Sequence, residues 1–268
     1  MASFECKDKQ FVELNQSNGV SRILLNDPHK KNALSKGMIQ CLLHMLEQIA
    51  HDDKQKLVIL RGAGGAFCSG ADLNWMKKGL TQTKEENEQD AGLFYDLFTR
   101  LFNYPKPIIA WVEKFAMGGA LGLLACADYV IADNQTKMAF SEVKLGLVPA
   151  TIAPFVIKKI GFAHSKALLL SGVTFSSKHA RKIGLVNEVL PSKAIPQRVQ
   201  ELANQLQRNG TEAMTITKQL LNALADRHHT LQEAKLMCCE KIATSRASEE
   251  GQEGVSAFFD KRTPSWYK

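Results

Sequence analysis

Gly65-Ala66-Phe67-Cys68-Ser69-Gly70-Ala71-Asp72-Leu73 is the stretch on which the reading of this chain turns. It follows an apolar, strand-like run, Leu57-Val58-Ile59-Leu60, and leads into a helical pattern. Glycine permits close backbone approach, and a helix start presents unsatisfied N–H groups carrying partial positive charge. A second segment repeats the arrangement: Met117-Gly118-Gly119-Ala120 after the apolar run from Pro107 to Val112. Two such ends facing each other make a cradle for a negatively charged oxygen. A third segment, Phe140-Ser141-Glu142-Val143, supplies a carboxylate. Cradle and carboxylate together are the minimal equipment for acid–base chemistry beside a carbonyl. The first loop is not a Walker loop, because no Gly-Lys-Ser/Thr follows it, and it lacks the dinucleotide-binding spacing.

Outward from these segments, the amino-terminal part reads as a hairpin: Phe11-Val12-Glu13-Leu14, the turn Asn18-Gly19, then Val20 to Leu25. Asn-Gly tolerates the positive φ of a two-residue turn. Ser35 caps a helix over residues 35–51, whose Met38, Leu42, Met45, Leu46 and Ile49 recur at helical spacing. An amphipathic helix is predicted over residues 81–103, ended by Tyr104-Pro105-Lys106-Pro107. A small-residue helix follows the second glycine pair, and short strands are expected at 129–132 and 138–140. Beyond about residue 150 helical periodicity dominates, over 151–160, 163–170, 177–183, 193–207, 211–225, 229–246 and 249–260. The expected organisation is an α/β core over residues 1–195 and a helical subdomain over 196–268.

With 268 residues, 45% of them hydrophobic, the chain can bury a sizeable core. The amino-terminal stretch from Met1 to Asp8 has no apolar segment and resembles neither a secretory signal nor a transit peptide. No uncharged apolar run approaches the ~20 residues of a membrane span. The six cysteines form no C-x-x-C pair, so neither a zinc site nor a disulfide framework is indicated, and a cytoplasmic, thiol-reduced setting is expected. The seven histidines, including His228-His229, show no metal-ligand spacing. The net charge of +7 is dispersed, without basic blocks or interleaved aromatics, which argues against nucleic acid as a partner. Cys68 is paired with no histidine by any motif and reads as a packing residue.

Taken whole, the first loop resembles the crotonase superfamily of enoyl-CoA hydratases and isomerases. The resemblance spans nearly the full chain, through Leu24-Leu25-Asn26-Asp27-Pro28, Asn32-Ala33-Leu34, Pro105-Lys106-Pro107-Ile108-Ile109-Ala110, Met117-Gly118-Gly119-Ala120, Phe140-Ser141-Glu142-Val143 with Leu145-Gly146-Leu147-Val148-Pro149, and Ala180-Arg181-Lys182-Ile183-Gly184-Leu185-Val186. It implies a spiral of strand-strand-helix units with a helical carboxy-terminal trimerisation subdomain, assembled as a homotrimer or a dimer of trimers. It also implies an acyl-CoA thioester as substrate, with no metal and no separate cofactor.

By the same resemblance the backbone N–H groups of Ala71 and Gly119 form the oxyanion hole and Glu142 handles protons. Ser69, Asp72 and Leu73 line the adenine and pantetheine path, flanked by Lys30 and Ala33. Met117 and Gly118 border the second amide, Pro149 and Ala150 the acyl end, while Phe258 and Lys261 reach acyl-CoA held by a neighbouring subunit. Apolar Phe140, Val143, Leu145 and Leu147 are expected to wall the Glu142 carboxyl and raise its pKa. The chain departs from the hydratase pattern at one point: the second glutamate would fall at Gly122. Glu142 then has to act alone, in syn hydration or in double-bond isomerisation; a basic RNA-binding homologue is the third reading. The wording from Ser141 to Val156 is most similar to bacterial hydratases of 3-methylglutaconyl-CoA and related branched thioesters.

Overall fold

The computed structural model describes residues 11–225 and 229–267. The expectations for the amino terminus and for His228 therefore fall outside the described residues. Among the described residues the strands are β1 (Val12–Ser17), β2 (Val20–Leu25), β3 (Leu57–Gly62), β4 (Ile108–Val112), β5 (Phe115–Met117), β6 (Tyr129–Asp133), β7 (Lys137–Ala139), β8 (Phe175–Ser176) and β9 (Glu188–Leu190). The larger sheet runs β1-β2-β3-β4-β6-β9, and the smaller runs β5-β7-β8. Only the hairpin pair β1/β2 is antiparallel in the larger sheet. Its turn has Asn18 and Gly19 at φ of 50° and 72°, as the Asn-Gly signal requires.

The helices are α1 (Lys36–Ala50), α2 (Leu73–Gly79), α3 (Lys84–Phe102), α4 (Gly119–Cys126), α5 (Ala153–Ser171), α6 (Ser177–Lys182), α7 (Ile195–Gln207), α8 (Thr211–Leu224), α9 (Leu231–Ala247) and α10 (Glu249–Phe259). Parallel strands covered on both faces read as continuous apolar runs, and β3 divides its side chains accordingly. Val58 and Leu60 join the core built on α1, α3, α4 and α5, whereas Leu57 and Ile59 pack with Ile195, Val199 and Leu202 of α7. Ser35 accepts the Met38 N–H at the start of α1, and Thr83 with Glu86 forms a reciprocal capping box on α3.

The α/β architecture with an all-helical carboxy-terminal region is the one the resemblance implies. Several details differ from expectation. The two helices expected over 151–160 and 163–170 are both present and together make up α5, divided at Gly161, whose φ of 76° and ψ of 162° lie outside the helical region. Strands β5, β8 and β9 are absent from the expected pattern, because two or three residues are too few to show a period. Glu142 does not share a strand face with Phe140 but opens a 3-10 turn, Glu142–Leu145, closed by Gly146 in the left-handed region. Cys41 is disulfide-bonded, which departs from the expected thiol-reduced chain; no C-x-x-C spacing announces it. Cys68, Cys126, Cys238 and Cys239 are free thiols. Helices α8 and α9 contain no fully buried residue, and Leu221, Leu236, Ile242, Val255, Phe258 and Phe259 are exposed on this region.

Candidate active site

The first glycine loop is shaped by a side chain from elsewhere. Asn32, fully buried and itself at φ 56°, donates from Nδ2 to the carbonyls of Ala63 (3.0 Å), Ala66 (2.8 Å) and Phe67 (3.3 Å). Its Oδ1 accepts the Asp27 N–H at 3.0 Å. Gly62 makes the fold-back possible, since a Cβ there would lie 2.0 Å from the Ala66 carbonyl oxygen. The chain then runs between two partners. Cys68 bridges to Ala116 of β5, with the Met117 N–H on the Cys68 carbonyl at 3.2 Å. Ala71 bridges to Leu34, with the Leu34 N–H on the Gly70 carbonyl at 2.7 Å and the Asp72 N–H on the Leu34 carbonyl at 3.1 Å.

This double pairing brings the two expected amides together. A Cβ on Gly70 would sit 2.6 Å from the Met117 oxygen and 3.5 Å from the Gly119 nitrogen, so the loops touch without side chains between them. Among the described residues, no acceptor within the chain takes the N–H of Ala71 or of Gly119. Two main-chain donors of this kind, one of them opening α4, suit an oxygen that gains negative charge.

Glu142 completes the cluster. Gly118 has φ 52° and ψ −125°, a conformation that glycine adopts without penalty, and a Cβ there would lie 3.1 Å from Glu142 Oε1. Burial holds the Glu142 carboxyl above the usual carboxylate range, and its Oε2 is buried with no hydrogen-bond partner among the described residues. The wall is not the one expected. Leu145 and Leu147 are exposed, because the 3-10 turn carries them outward, and the main chain at Gly118 shields the carboxyl instead.

The far side is apolar. The position of a Cβ on Gly119 is bounded by Leu34 Cδ1 at 3.6 Å, Phe94 Cε1 at 3.9 Å and Phe98 Cζ at 4.0 Å. At Gly122, the position of the second glutamate in the hydratase pattern, a Cβ would meet Ile152 Cγ2 at 2.5 Å and Phe98 Cε1 at 2.7 Å. Phe98 of α3 and Ile152, which precedes α5, fill that space.

The other expected residues divide into two groups. Lys30, Ala33, Ser69 and Asp72 lie together on the rim of the first loop. Asp72 is buried, caps α2 through the Trp75 N–H at 3.0 Å and pairs with Lys30 at 3.0 Å; Ser69 Oγ donates to the Lys30 carbonyl at 3.2 Å. Asp72 thus spends its side chain on structure. Leu73 is exposed at the start of α2, Pro149 is buried, and Ala150 is exposed beyond the 3-10 turn. Phe258 and Lys261 are not brought to this cluster within one chain; Phe258 lies in the last turn of α10, which packs on α8 and α9, and Lys261 follows that helix. Among the described residues, no group of three or more His, Cys, Asp or Glu could hold a metal ion.

Residues 15–268 match the enoyl-CoA hydratase/isomerase family. The chain belongs to that family. Among its relatives in the enoyl-CoA hydratase/isomerase family, the 2,3-dehydroadipyl-CoA hydratase of Escherichia coli is 30% identical over 91% of this chain and 93% of its own length. The 1,2-epoxyphenylacetyl-CoA isomerase of the same organism is 29% identical over 96% and 98%. The crystal structure of an enoyl-CoA hydratase from Shewanella pealeana superposes with a TM-score of 0.93, at 33% identity, over 97% of this chain and 98% of that one.

For an enoyl-CoA hydratase/isomerase, the pieces the sequence did not reveal are Asn32 as organiser of the loop, Phe98 and Ile152 as the filling at Gly122, and the pair Trp75 and Phe94. Asn32 carried one local hint, an Asn beside Lys31 ahead of the loop, both at positive φ. The aromatic contacts join α2, α3 and α5 across long stretches of chain, and no local pattern announces them.

Proposed function

We propose that this enoyl-CoA hydratase/isomerase family member is a hydratase that adds water syn across an α,β-unsaturated acyl-CoA thioester, with Glu142 as its sole acid–base group. The observation that carries the reading is the Glu142 carboxyl, buried against Gly118 one residue from the unsatisfied Gly119 amide, with one oxygen free of partners. Glu142 takes a proton from water as the water oxygen bonds to the β-carbon. The electron pair moves to the thioester oxygen, where the Ala71 and Gly119 N–H groups stabilise the enolate. The protonated Glu142 returns its proton to the α-carbon on the same face, which restores the carboxylate. No separate cofactor enters this sequence; the CoA ester is the substrate.

Branched glutaconyl thioesters, 3-methylglutaconyl-CoA among them, are the substrates we favour, on the wording of residues 141–156. The exposed apolar residues of α8 to α10 support assembly into trimers or paired trimers, and with it the placing of Phe258 and Lys261 at a neighbour's site. No described helix is long and apolar enough to cross a membrane; a cytoplasmic setting belongs to the same proposal.

A second reading is favoured by one observation. Phe98 and Ile152 leave Gly122 no room for a second carboxylate, so a water molecule has one carboxyl to hold it, while moving a proton between two carbons needs only one. Purified protein given 2-enoyl-CoA and 3-enoyl-CoA esters side by side separates the two. Loss of 2-enoyl absorbance with a 3-hydroxyacyl product supports hydration. Interconversion of the enoyl esters without hydroxy product overturns it in favour of isomerisation.

A further inference from the structure

We infer that the Trp75–Phe94 pair, held by Asp90, is the floor of the acyl site and restricts this chain to short acyl groups, excluding long fatty ones. The inference rests on the acyl-CoA reading above and names the substrate class of that site.

Phe94 stands beside the second oxyanion amide, with its Cε1 3.9 Å from where a Cβ on Gly119 would be. The Trp75 indole stacks on Phe94, ring centroids 4.9 Å apart and planes at 17°. Phe98, fully buried, closes the side, its ring centroid 6.4 Å from that of Phe94. Trp75 and Phe94 are themselves only partly buried, so the stack borders accessible space instead of filling a closed core. An acyl group whose thioester oxygen sits on Ala71 and Gly119 has Leu34, Phe94 and Phe98 around its first carbons, with Trp75 behind them.

The floor is fixed in place. The Trp75 indole N–H donates to Asp90 Oδ2 at 2.7 Å. The same carboxylate accepts Gln82 Nε2 at 3.1 Å and pairs with Lys36 at 3.2 Å. One largely buried side chain of α3 therefore gathers the first residue of α1, a residue of α2 and the turn between α2 and α3. Burial alone would raise the Asp90 pKa, but the donors from Trp75, Gln82 and Lys36 prevail and lower it, so the carboxylate stays charged and its hydrogen bonds stay charge-assisted. Making room for a long chain requires Trp75 to give up its 2.7 Å hydrogen bond to the Asp90 carboxylate.

The test compares turnover of crotonyl-CoA and trans-2-dodecenoyl-CoA by wild type, Trp75→Ala, Phe94→Ala and Asp90→Asn. Wild type is expected to favour crotonyl-CoA in kcat/KM by about tenfold or more. Trp75→Ala and Phe94→Ala are expected to shrink that preference chiefly through KM for the long ester, with Asp90→Asn intermediate. If Trp75→Ala does not fold, Phe94→Ala carries the comparison. Equal wild-type turnover of both esters, or an unchanged preference in the aromatic variants, overturns the inference and leaves the hydration reading standing. Calorimetric binding of the saturated butyryl-CoA and dodecanoyl-CoA separates the two claims. Tighter butyryl-CoA binding by a protein that hydrates nothing supports the floor and removes the hydration reading.

Discussion

Glu142 and Gly118 are packed so closely that a single added methyl group on Gly118 would lie 3.1 Å from Oε1 of the carboxylate. The residue that must have no side chain is also the one preceding Gly119, so backbone conformation, carboxylate position and the free Gly119 N–H are set at one place. Gly118→Ala combines a backbone conformation unfavourable for an L-residue with displacement of Glu142. A stability loss of about 1–3 kcal/mol is expected, together with a fall in kcat larger than any change in KM. Thermal melts and steady-state rates on one preparation check both parts.

Glu142→Gln keeps the shape and removes the proton-transfer group. A fall in kcat of about 10²–10⁴ is expected, with binding of a saturated acyl-CoA nearly unchanged by calorimetry. Wild-type activity is expected to rise with pH along an acid limb lying above the ordinary carboxylate range, because burial raises the Glu142 pKa.

The same shift carries a stability signature. An acid with a raised folded pKa binds more protons folded than unfolded between its two pKa values. Stability is therefore fully present below the unfolded value of about 4.3 and is lost as pH rises through the folded one. Glu142→Gln is accordingly expected to melt higher than wild type at neutral pH, with the gap closing toward pH 4. A variant melting lower at neutral pH contradicts the burial argument.

Gly122→Glu does not rebuild a two-carboxylate site. Its Cβ would lie 2.5 Å from Ile152 and 2.7 Å from Phe98, so overpacking of about 1–3 kcal/mol is expected. Hydration should not increase. Pairing it with Phe98→Ala should recover melting temperature relative to Gly122→Glu alone, which denaturation of the two variants would show.

Asn32→Ala removes three donor contacts and one acceptor contact from a fully buried position, leaving the Ala66 and Phe67 carbonyls short of a donor. A cost of roughly 1–3 kcal/mol is expected. Because the loop it shapes carries Ala71, kcat/KM should fall as well. Lys30→Ala, which breaks a pair whose lysine is half exposed, should cost well under the Asn32 figure.

The geometry of the candidate site is legible where close contact forces residue type. Gly70 and Gly118 are glycines because the two loops and Glu142 touch there, and those constraints left a readable phrase in the sequence. The hairpin turn at Asn18-Gly19 and the helix start at Ser35 were legible for similar local reasons. What surrounds the carboxylate was not. Leu145 and Leu147 look like a wall in the sequence, but a left-handed Gly146 turns them outward. Phe98 reads as one more apolar position of α3; nothing near it says that its ring occupies the space beside Gly122, which is contributed by α4.

The register bridges Leu34↔Ala71 and Cys68↔Ala116 have a consequence for divergence within the family. The first bridge fixes Ala71 through main-chain hydrogen bonds, and the second ties the loop at Cys68 to the strand that leads into Gly118 and Gly119, so neither contact depends on which side chains surround it. Exchange of pocket side chains then leaves the relative position of the two loops unchanged.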